Sequence, residues 1–145
     1  FVISWGVIHH SGSMQNILNE IYRVLKPGGK AYLMVYNKNS IRSLIFAPIW
    51  LGVIRGKLLK YNRKEIISNI TDGYIARHLT EDEFNSMASS FKNINYTYSD
   101  EVDTISSYFL GPFRRILKPF KKIKHKLEYF LATRWGWYMQ IVLEK

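Results

Sequence analysis

The fold of this chain is decided by residues 1–29, which read FVISWGVIHHSGSMQNILNEIYRVLKPGG. Residues 1–5 are apolar or small without alternation, a pattern typical of a strand that is covered on both faces. Residues 6–13 then bring glycine, two histidines and serine to the carboxyl end of that strand. This is the edge at which open α/β sheets bind ligands. The stretch therefore predicts a buried strand followed by a ligand-facing loop.

A helix and a second strand complete this unit. Apolar residues at intervals of three or four predict one buried helical stripe, made of Met14, Leu18, Ile21 and Leu25. Ser13 is the expected N-cap. Pro27-Gly28-Gly29 ends the helix, because proline cannot continue it and glycine tolerates a positive φ. Residues 31–36 predict a second buried strand, which should run parallel to the first after a right-handed crossover.

These residues carry a resemblance to a known family. A strand ending in Ser-Trp-Gly-Val-Ile-His-His (residues 4–10) and a helix ending in Arg-Val-Leu-Lys-Pro-Gly-Gly (residues 23–29) are similar to the second half of class I S-adenosylmethionine-dependent methyltransferases. The resemblance is closest to the small-molecule branch, and it extends over residues 79–145 by topology only. It implies an α/β fold that is the C-terminal half of a Rossmann-like, seven-stranded methyltransferase sheet. Parallel strands would be followed by a terminal antiparallel hairpin, with helical insertions.

The resemblance also implies residues that this sequence does not contain. The family's glycine-rich cofactor loop, and the acidic residue at the end of the next strand, are expected upstream of Phe1. We therefore interpret residues 1–145 as a partial methyltransferase domain of a longer parent chain, and we expect these residues alone to be inactive.

Composition limits the chemistry. Of the 145 residues, 47% are hydrophobic and 15% aromatic, which is enough for the core of one domain. The absence of cysteine excludes disulfides, thiolate metal sites and cysteine nucleophiles. The formal net charge of +10 predicts attraction to nucleic acid, anionic lipid or an anionic substrate, without choosing among them. No signal peptide is visible, and a cytoplasmic location is expected.

The resemblance assigns roles to the first loop. The expected contacts to S-adenosylmethionine are Ser4, Trp5, Gly6 and Val7. His9 and His10 would face the place where the methyl group and the acceptor meet. One of them is a candidate catalytic base, because histidine titrates near neutral pH. In the alternative, one ring is a structural hydrogen-bonding group and the other lies at the surface. No metal site is expected, since adjacent loop residues seldom both ligate and no carboxylate lies nearby.

Residues 37–79 occupy the place where family members carry an insertion that shapes the acceptor pocket. The expected acceptor contacts are Tyr36, Tyr74, Arg77 and His78. Residues 43–54 are almost continuously apolar, yet shorter than the about 20 residues that a bilayer span needs. They predict a buried helical lid over the pocket or, alternatively, an interfacial helix that touches membrane or admits an apolar substrate.

The remaining sequence predicts one more helix and two more strands. Thr80-Glu81-Asp82-Glu83 is a capping box at a helix start. Residues 92–99 and 137–143 alternate between apolar and polar, as strands with one buried face do. Both strands fit the antiparallel hairpin that the resemblance implies.

Residues 100–134 form a long insertion between these two strands. The insertion predicts a basic amphipathic helical hairpin or broken helix, whose apolar stripe includes Leu127 and Phe130. The stripe either packs on the sheet or contacts an anionic membrane surface. Nucleic acid is disfavoured, because the aromatic residues share a face with the aliphatic residues rather than with the lysines.

These observations lead to two interpretations of function. In the first, the chain is part of an enzyme that transfers a methyl group from S-adenosylmethionine to a small-molecule or lipid-like acceptor by in-line displacement. Peripheral contact with a membrane would then deliver the acceptor. In the second, a non-catalytic chain of the same fold binds a membrane or a partner through the basic hairpin.

Overall fold

A five-stranded sheet organises the protein. The structure, a computed structural model, describes residues 1–62, 65–66, 76–100 and 121–145. The strands are β1 (Val2–Trp5), β2 (Lys30–Asn37), β3 (His78–Leu79), β4 (Asn93–Ser99) and β5 (Tyr138–Glu144). The helices are α1 (Met14–Val24), a helix of wide, π-type turns (Arg42–Ile54), α2 (Glu81–Met87) and α3 (Lys121–Trp135). Single 3-10 turns lie at Ile8–His10 and Lys57–Leu59. The predicted α/β class is confirmed.

The four longer strands lie side by side in the order β1, β2, β5, β4. β1 is parallel to β2, whereas β5 is antiparallel to both β2 and β4. The predicted parallel pair and the predicted antiparallel hairpin are therefore both present. β3 pairs in parallel with Tyr36 and Asn37 at the end of β2. Because β5 pairs with one edge of β2, β1 and β3 both lie along the opposite edge of β2, one after the other.

Helix α1 buries the predicted stripe against one face of the sheet. The side chains of Met14, Leu18, Ile21 and Leu25 are at most 6% exposed. They pack in one core with Leu33, Ile141 and Leu143 of the sheet. Gly28 adopts a positive φ of 74° where the chain leaves the helix, as the Pro-Gly-Gly sequence predicts.

The predicted cap of α1 by the Ser13 side chain is wrong. Ser13 occupies the N-cap position, but its side chain makes no capping hydrogen bond. Its backbone N–H instead donates to Oγ of Ser11, at 3.1 Å. The other end of α1 is closed by Lys145, whose Nζ donates to the carbonyls of Tyr22 and Leu25, at 2.6 and 2.8 Å.

Helix α2 begins at the predicted capping box. Oγ1 of Thr80 accepts from the backbone N–H of Glu83, and the Glu83 carboxylate accepts from the backbone N–H of Thr80. Phe84 and Ala88 are fully buried in the same core as α1. Both helices therefore cover the same face of the sheet.

The opposite face of β1 is open. Ile3 and Trp5 are 63% and 56% exposed, and Tyr32, in register with Ile3, is also exposed. The prediction that this strand is covered on both faces is therefore wrong for the part of the chain that the structure describes, because α1 and α2 share one side.

The apolar segment 43–54 is helical, as predicted, but most of it is not a buried lid. Ser43, Phe46 and Ala47 are buried. The exposed apolar side chains of this helix are Leu44, Ile45, Ile49, Val53 and Ile54. A helix that is apolar all round can bury only the side that faces the protein. Its proposed role in shaping an acceptor pocket stays a prediction.

The second half of the basic insertion is the helix α3, which lies against β4. Glu128 and Ala132 are buried, whereas Leu127 and Phe130 are 53% and 54% exposed. The prediction that the apolar stripe packs on the sheet is wrong for these two residues. A Cβ on Gly136 would lie 2.3 Å from the carbonyl oxygen of Ala132, so only glycine fits the tight turn from α3 into β5.

Two sequence predictions lie outside the described residues. They are the first half of the basic hairpin, over residues 101–120, and the acceptor contact Tyr74. Across the residues that are described, no helix is long and apolar enough to cross a membrane.

Candidate functional site

Histidine and aromatic rings meet at the carboxyl end of β2. The ring of Tyr36 lies 4.3 Å from that of His9 and 5.3 Å from that of His78, measured between centroids. It lies 6.2 Å from the ring of His10 and 5.0 Å from that of Trp137. We call these five residues the ring cluster. Four of them are residues that the sequence analysis assigns to catalysis or to acceptor binding.

The loop after β1 brings two of these rings to the cluster. The 3-10 turn Ile8–His10 is anchored by the buried side chain of Ile8, and the N–H of His10 donates to the carbonyl of Val7 at 3.0 Å. The rings of His9 and His10 lie 4.2 Å apart. His9 is fully buried, whereas His10 is partly exposed. His10 is therefore the loop histidine that solvent or a ligand can reach.

Arg77 braces this loop from outside the ring cluster. Its backbone N–H donates to the carbonyl of His9 at 3.0 Å, and its guanidinium donates to the carbonyl of Gly12 at 2.8 Å. The geometry gives Arg77 a positioning role and leaves its predicted contact with the acceptor a prediction. Tyr74, the fourth predicted acceptor contact, lies outside the described residues.

The short strand β3 places His78 beside Tyr36. The two residues are in register across the β2–β3 pair, and their rings stack with only 21° between planes. Sequence reasoning selected both residues for the acceptor site without predicting the strand that joins them. Two residues are too few to show the alternation by which a strand is recognised.

Trp137 completes the ring cluster, and the sequence analysis did not assign it to the site. Its side chain is 2% exposed, and its ring lies 5.0 Å from that of His78. The backbone N–H of Asn37 donates to the carbonyl of Trp137 at 2.8 Å, and the Asn37 amide donates to Gly136 at 2.9 Å. The missed signal is the antiparallel hairpin itself. A residue that precedes a strand antiparallel to β2 must lie at the carboxyl end of β2.

The apolar helix begins at the same cluster. The guanidinium of Arg42 lies 4.9 Å from the centre of the Trp137 ring, a cation–π distance. Oγ of Ser40 accepts from the backbone N–H of Ser43 at 3.2 Å, which caps the first turn. Lys38, in the loop between β2 and this helix, forms an ion pair with Glu83 of α2. These contacts fix the start of the helix beside the rings.

His9, which is buried, and His78, which is half-buried, are electrically neutral at ordinary pH. Burial, assisted by the neighbouring His10, lowers the pKa of His9 to about 4, and the Met34 carbonyl offsets this only in part. Burial also lowers the pKa of His78 to about 4. Neither nitrogen of His9 forms a hydrogen bond of good geometry, so the Met34 carbonyl is only a weak partner. A base with so low a pKa removes protons poorly near pH 7, so His9 is better suited to position other groups.

The predicted cofactor residues surround a glycine with an uncommon backbone conformation. Gly6 has a φ of 72°, and its N–H donates to the carbonyl of Met34 at 3.3 Å. Trp5 and Val7 on either side are more than half exposed, and Ser4 is partly exposed. The backbone at Gly6 is thus approachable at the carboxyl edge of β1, between two apolar side chains.

Residues 1–33 match the sequence model of a protein family described as a methyltransferase domain. We call this matched stretch, residues 1–33, the methyltransferase segment. The resemblance to class I S-adenosylmethionine-dependent methyltransferases is confirmed over it. No curated protein matches the chain.

The methyltransferase segment holds the first half of the site. It contains the loop with the four predicted cofactor contacts and both loop histidines, and it ends inside β2. Tyr36, His78 and Trp137 come from the chain beyond it. Among the described residues, no group of three or more histidine and carboxylate side chains is placed to hold a metal ion.

Proposed function

We propose that this chain is part of an S-adenosylmethionine-dependent methyltransferase, whose acceptor is a small or lipid-like molecule bound at the ring cluster. The observation that carries the proposal is the position of the cluster. It lies at the carboxyl ends of β1 and β2, beside the loop of the methyltransferase segment. Parallel strands of open α/β sheets bind their ligands at this edge.

The loop after β1 fits one side of S-adenosylmethionine. A side chain at residue 6 would need the positive φ that glycine adopts without strain, and its Cβ would lie 3.4 Å from Cε of Met34. The bare backbone therefore permits close approach, while Trp5 and Val7 offer exposed apolar surface to the uncharged parts of the cofactor. S-adenosylmethionine would supply an electrophilic methyl group there, and this chain would supply contact surface and alignment.

The ring cluster fits an acceptor that is at least partly apolar. Tyr36 and His78 present flat, largely uncharged rings, backed by the buried Trp137, since His9 and His78 stay neutral. In-line displacement requires the acceptor atom to be held in line with the methyl group, and a rigid wall of rings restricts its orientation. His10 is the candidate proton acceptor because its ring is partly exposed, while His9 holds the loop against Tyr36.

The test of the cofactor assignment compares two glycines with the same conformation. Gly6 and Gly28 have φ values of 72° and 74°, so alanine at either position costs about 1–2 kcal/mol of backbone strain. We expect Gly6→Ala to weaken binding of S-adenosylmethionine by about tenfold or more, the effect of about 1.4 kcal/mol. Gly28→Ala, at the far end of α1, should leave the affinity unchanged. Calorimetry on the natural chain that contains residues 1–145 measures both.

The acceptor assignment has a separate test. His10→Gln and Tyr36→Phe should leave the affinity for S-adenosylmethionine within about twofold. Methyl transfer to a small apolar or lipid-like acceptor should fall by about 100-fold for His10→Gln, because the substitution removes the proposed base. Equal affinity of wild type and Gly6→Ala for the cofactor would contradict the cofactor site. Methyl transfer at the wild-type rate by both His10→Gln and Tyr36→Phe would contradict the acceptor site and leave the cofactor site standing.

A further inference from the structure

One surface outside the ring cluster exposes far more apolar area than a solvent-facing helix needs. It comprises the end of the Arg42–Ile54 helix and the turn that follows it. The exposed apolar residues are Leu44, Ile45, Ile49, Val53, Ile54, Leu58, Leu59 and Tyr61. Leu59 is 91% exposed and Val53 68%. We call residues 44–61 the apolar–basic surface. Contiguous apolar patches of this kind mark contact with a protein or a membrane.

The charges on this surface all have one sign. Arg55, Lys57 and Lys60 follow the helix, and residues 38–62 contain no aspartate or glutamate. Arg55 and Lys60 are exposed. An anionic lipid surface attracts each nearby lysine or arginine with about 1 kcal/mol, which is roughly a fivefold gain in partitioning per residue.

The turn places two leucines between two lysines. Gly56 has a φ of 64°, which reverses the chain into the 3-10 turn Lys57–Leu59. Leu58 packs back on the helix, since a Cβ on Gly52 would lie 2.8 Å from its side chain. Leu59 therefore protrudes from an anchored turn. A protruding aliphatic tip suits the soft boundary of a bilayer, whereas a protein partner would have to provide a pocket for it. The flanking lysines can extend to lipid headgroups.

We propose that the apolar–basic surface docks this protein on an anionic membrane, with Leu59, Val53 and Ile54 entering the boundary between headgroups and acyl chains. An interfacial helix buries its apolar side chains to about 5–10 Å at that depth. Because the same helix begins at Arg42, on the Trp137 ring, docking places the ring cluster at the start of a path from the lipid. The proposal concerns membrane binding and holds whether or not the chain transfers a methyl group.

The test is flotation of the full chain with vesicles, in the absence of any cofactor. Vesicles of phosphatidylcholine with about 30% phosphatidylglycerol should bind the chain at low salt, and raising the salt to about 0.5 M should weaken binding as screening predicts. Arg55→Gln combined with Lys60→Gln should reduce partitioning about 25-fold, from the fivefold contribution of each charge. Leu59→Ser should reduce it by about tenfold through the loss of one inserted aliphatic side chain.

Matched controls carry the same chemical change elsewhere. Lys26→Gln combined with Lys30→Gln removes two exposed charges at the other end of β2, whose eight residues span about 26 Å. Val24→Ser removes an exposed aliphatic side chain from α1. Both should change partitioning by no more than about twofold. All the substituted side chains are exposed, so circular dichroism should show unchanged folding.

Three outcomes would overturn the proposal. The first is equal binding to vesicles of phosphatidylcholine alone, which would remove the role of charge. The second is equal loss in the control variants, which would place the contact elsewhere. The third is absence of vesicle binding together with a self-association that Leu59→Ser abolishes, which would assign the surface to a second copy of the chain.

Discussion

Helix α1 and the helix Arg42–Ile54 use apolar residues in opposite ways. In α1, apolar and polar residues alternate with helical spacing, and the stripe that includes Leu18 is buried. The Arg42–Ile54 helix is almost wholly apolar, yet Ile49, Val53 and Ile54 are exposed. The difference shows that the spacing of apolar residues along a helix decides whether all of them can be buried. A helix with a single apolar stripe can be satisfied by one neighbour, whereas a helix that is apolar all round needs a second one.

The largest expected effect tests this difference through stability. Leu18→Ala should lower the free energy of unfolding by about 3 kcal/mol, because the side chain is 1% exposed and its removal leaves a cavity. Ile49→Ala, at a 52% exposed site in the other helix, should lower it by no more than about 0.5 kcal/mol. Urea unfolding followed by circular dichroism measures both. A loss of more than about 2 kcal/mol for Ile49→Ala would show that its side chain is covered in solution.

An effect of intermediate size on stability is expected at the ring cluster, which lies between the loop before α1 and the start of the Arg42–Ile54 helix. His9 and His78 have a pKa of about 4 in the folded protein, below the ordinary value of 6.5. As the pH falls, the unfolded chain therefore takes up these protons first. Their contribution to stability is complete above pH 6.5 and is lost as the pH falls towards 4.

The size of this loss should be on the order of 1 kcal/mol per histidine at pH 5. His78→Phe keeps a flat ring against Tyr36. It should remove about half of the decrease in unfolding free energy that the two histidines cause between pH 6.5 and 5. The measured quantity is the slope of unfolding free energy against pH, so a change in overall stability does not affect the comparison. A slope as steep in the variant as in the wild type would show that His78 is accessible to protons in the folded state.

The smallest expected effect compares two helix starts. Thr80→Ala should destabilise the protein by about 1 kcal/mol, because it removes one half of the capping box of α2. Ser13 lies at the equivalent position of α1, but Ser13→Ala removes no capping hydrogen bond. It should therefore lower the stability by no more than about 0.3 kcal/mol. Thermal melts of both variants measure the difference. Similar losses for the two would indicate that Ser13 caps α1 in solution.

The sequence predicts the fold where the apolar residues of an element lie on one face and a single neighbouring element covers that face. The stripe of α1, the capping box at Thr80 and the alternation in β4 and β5 are all present in the structure. Prediction fails where burial depends on which neighbour is present. The exposed face of β1 and the exposed Leu127 and Phe130 of α3 carry the same apolar signal as buried residues. Their exposure follows from the placement of other elements, which no local pattern contains.

The candidate site was only partly predictable for a related reason. The loop motif and the position of an insertion led to His9, His10, Tyr36 and His78, which the structure brings together. The alternating pattern predicts only that Trp137 begins a strand, and its place in the cluster depends on the antiparallel register of β5 with β2. Arg77 also donates to the loop backbone, which its position in the sequence does not reveal, and its contact with the acceptor stays a prediction.

The order of the strands has a consequence for how the protein is made. β5 follows the other four strands in sequence, yet it lies between β2 and β4 and holds them together. During synthesis, the β1–α1–β2 unit can form early, while the free edge of β2 and the whole of β4 must wait. Until β5 leaves the ribosome, both present unpaired backbone to other chains. Slow translation between β4 and β5 would therefore prolong the period in which the nascent chain depends on a chaperone.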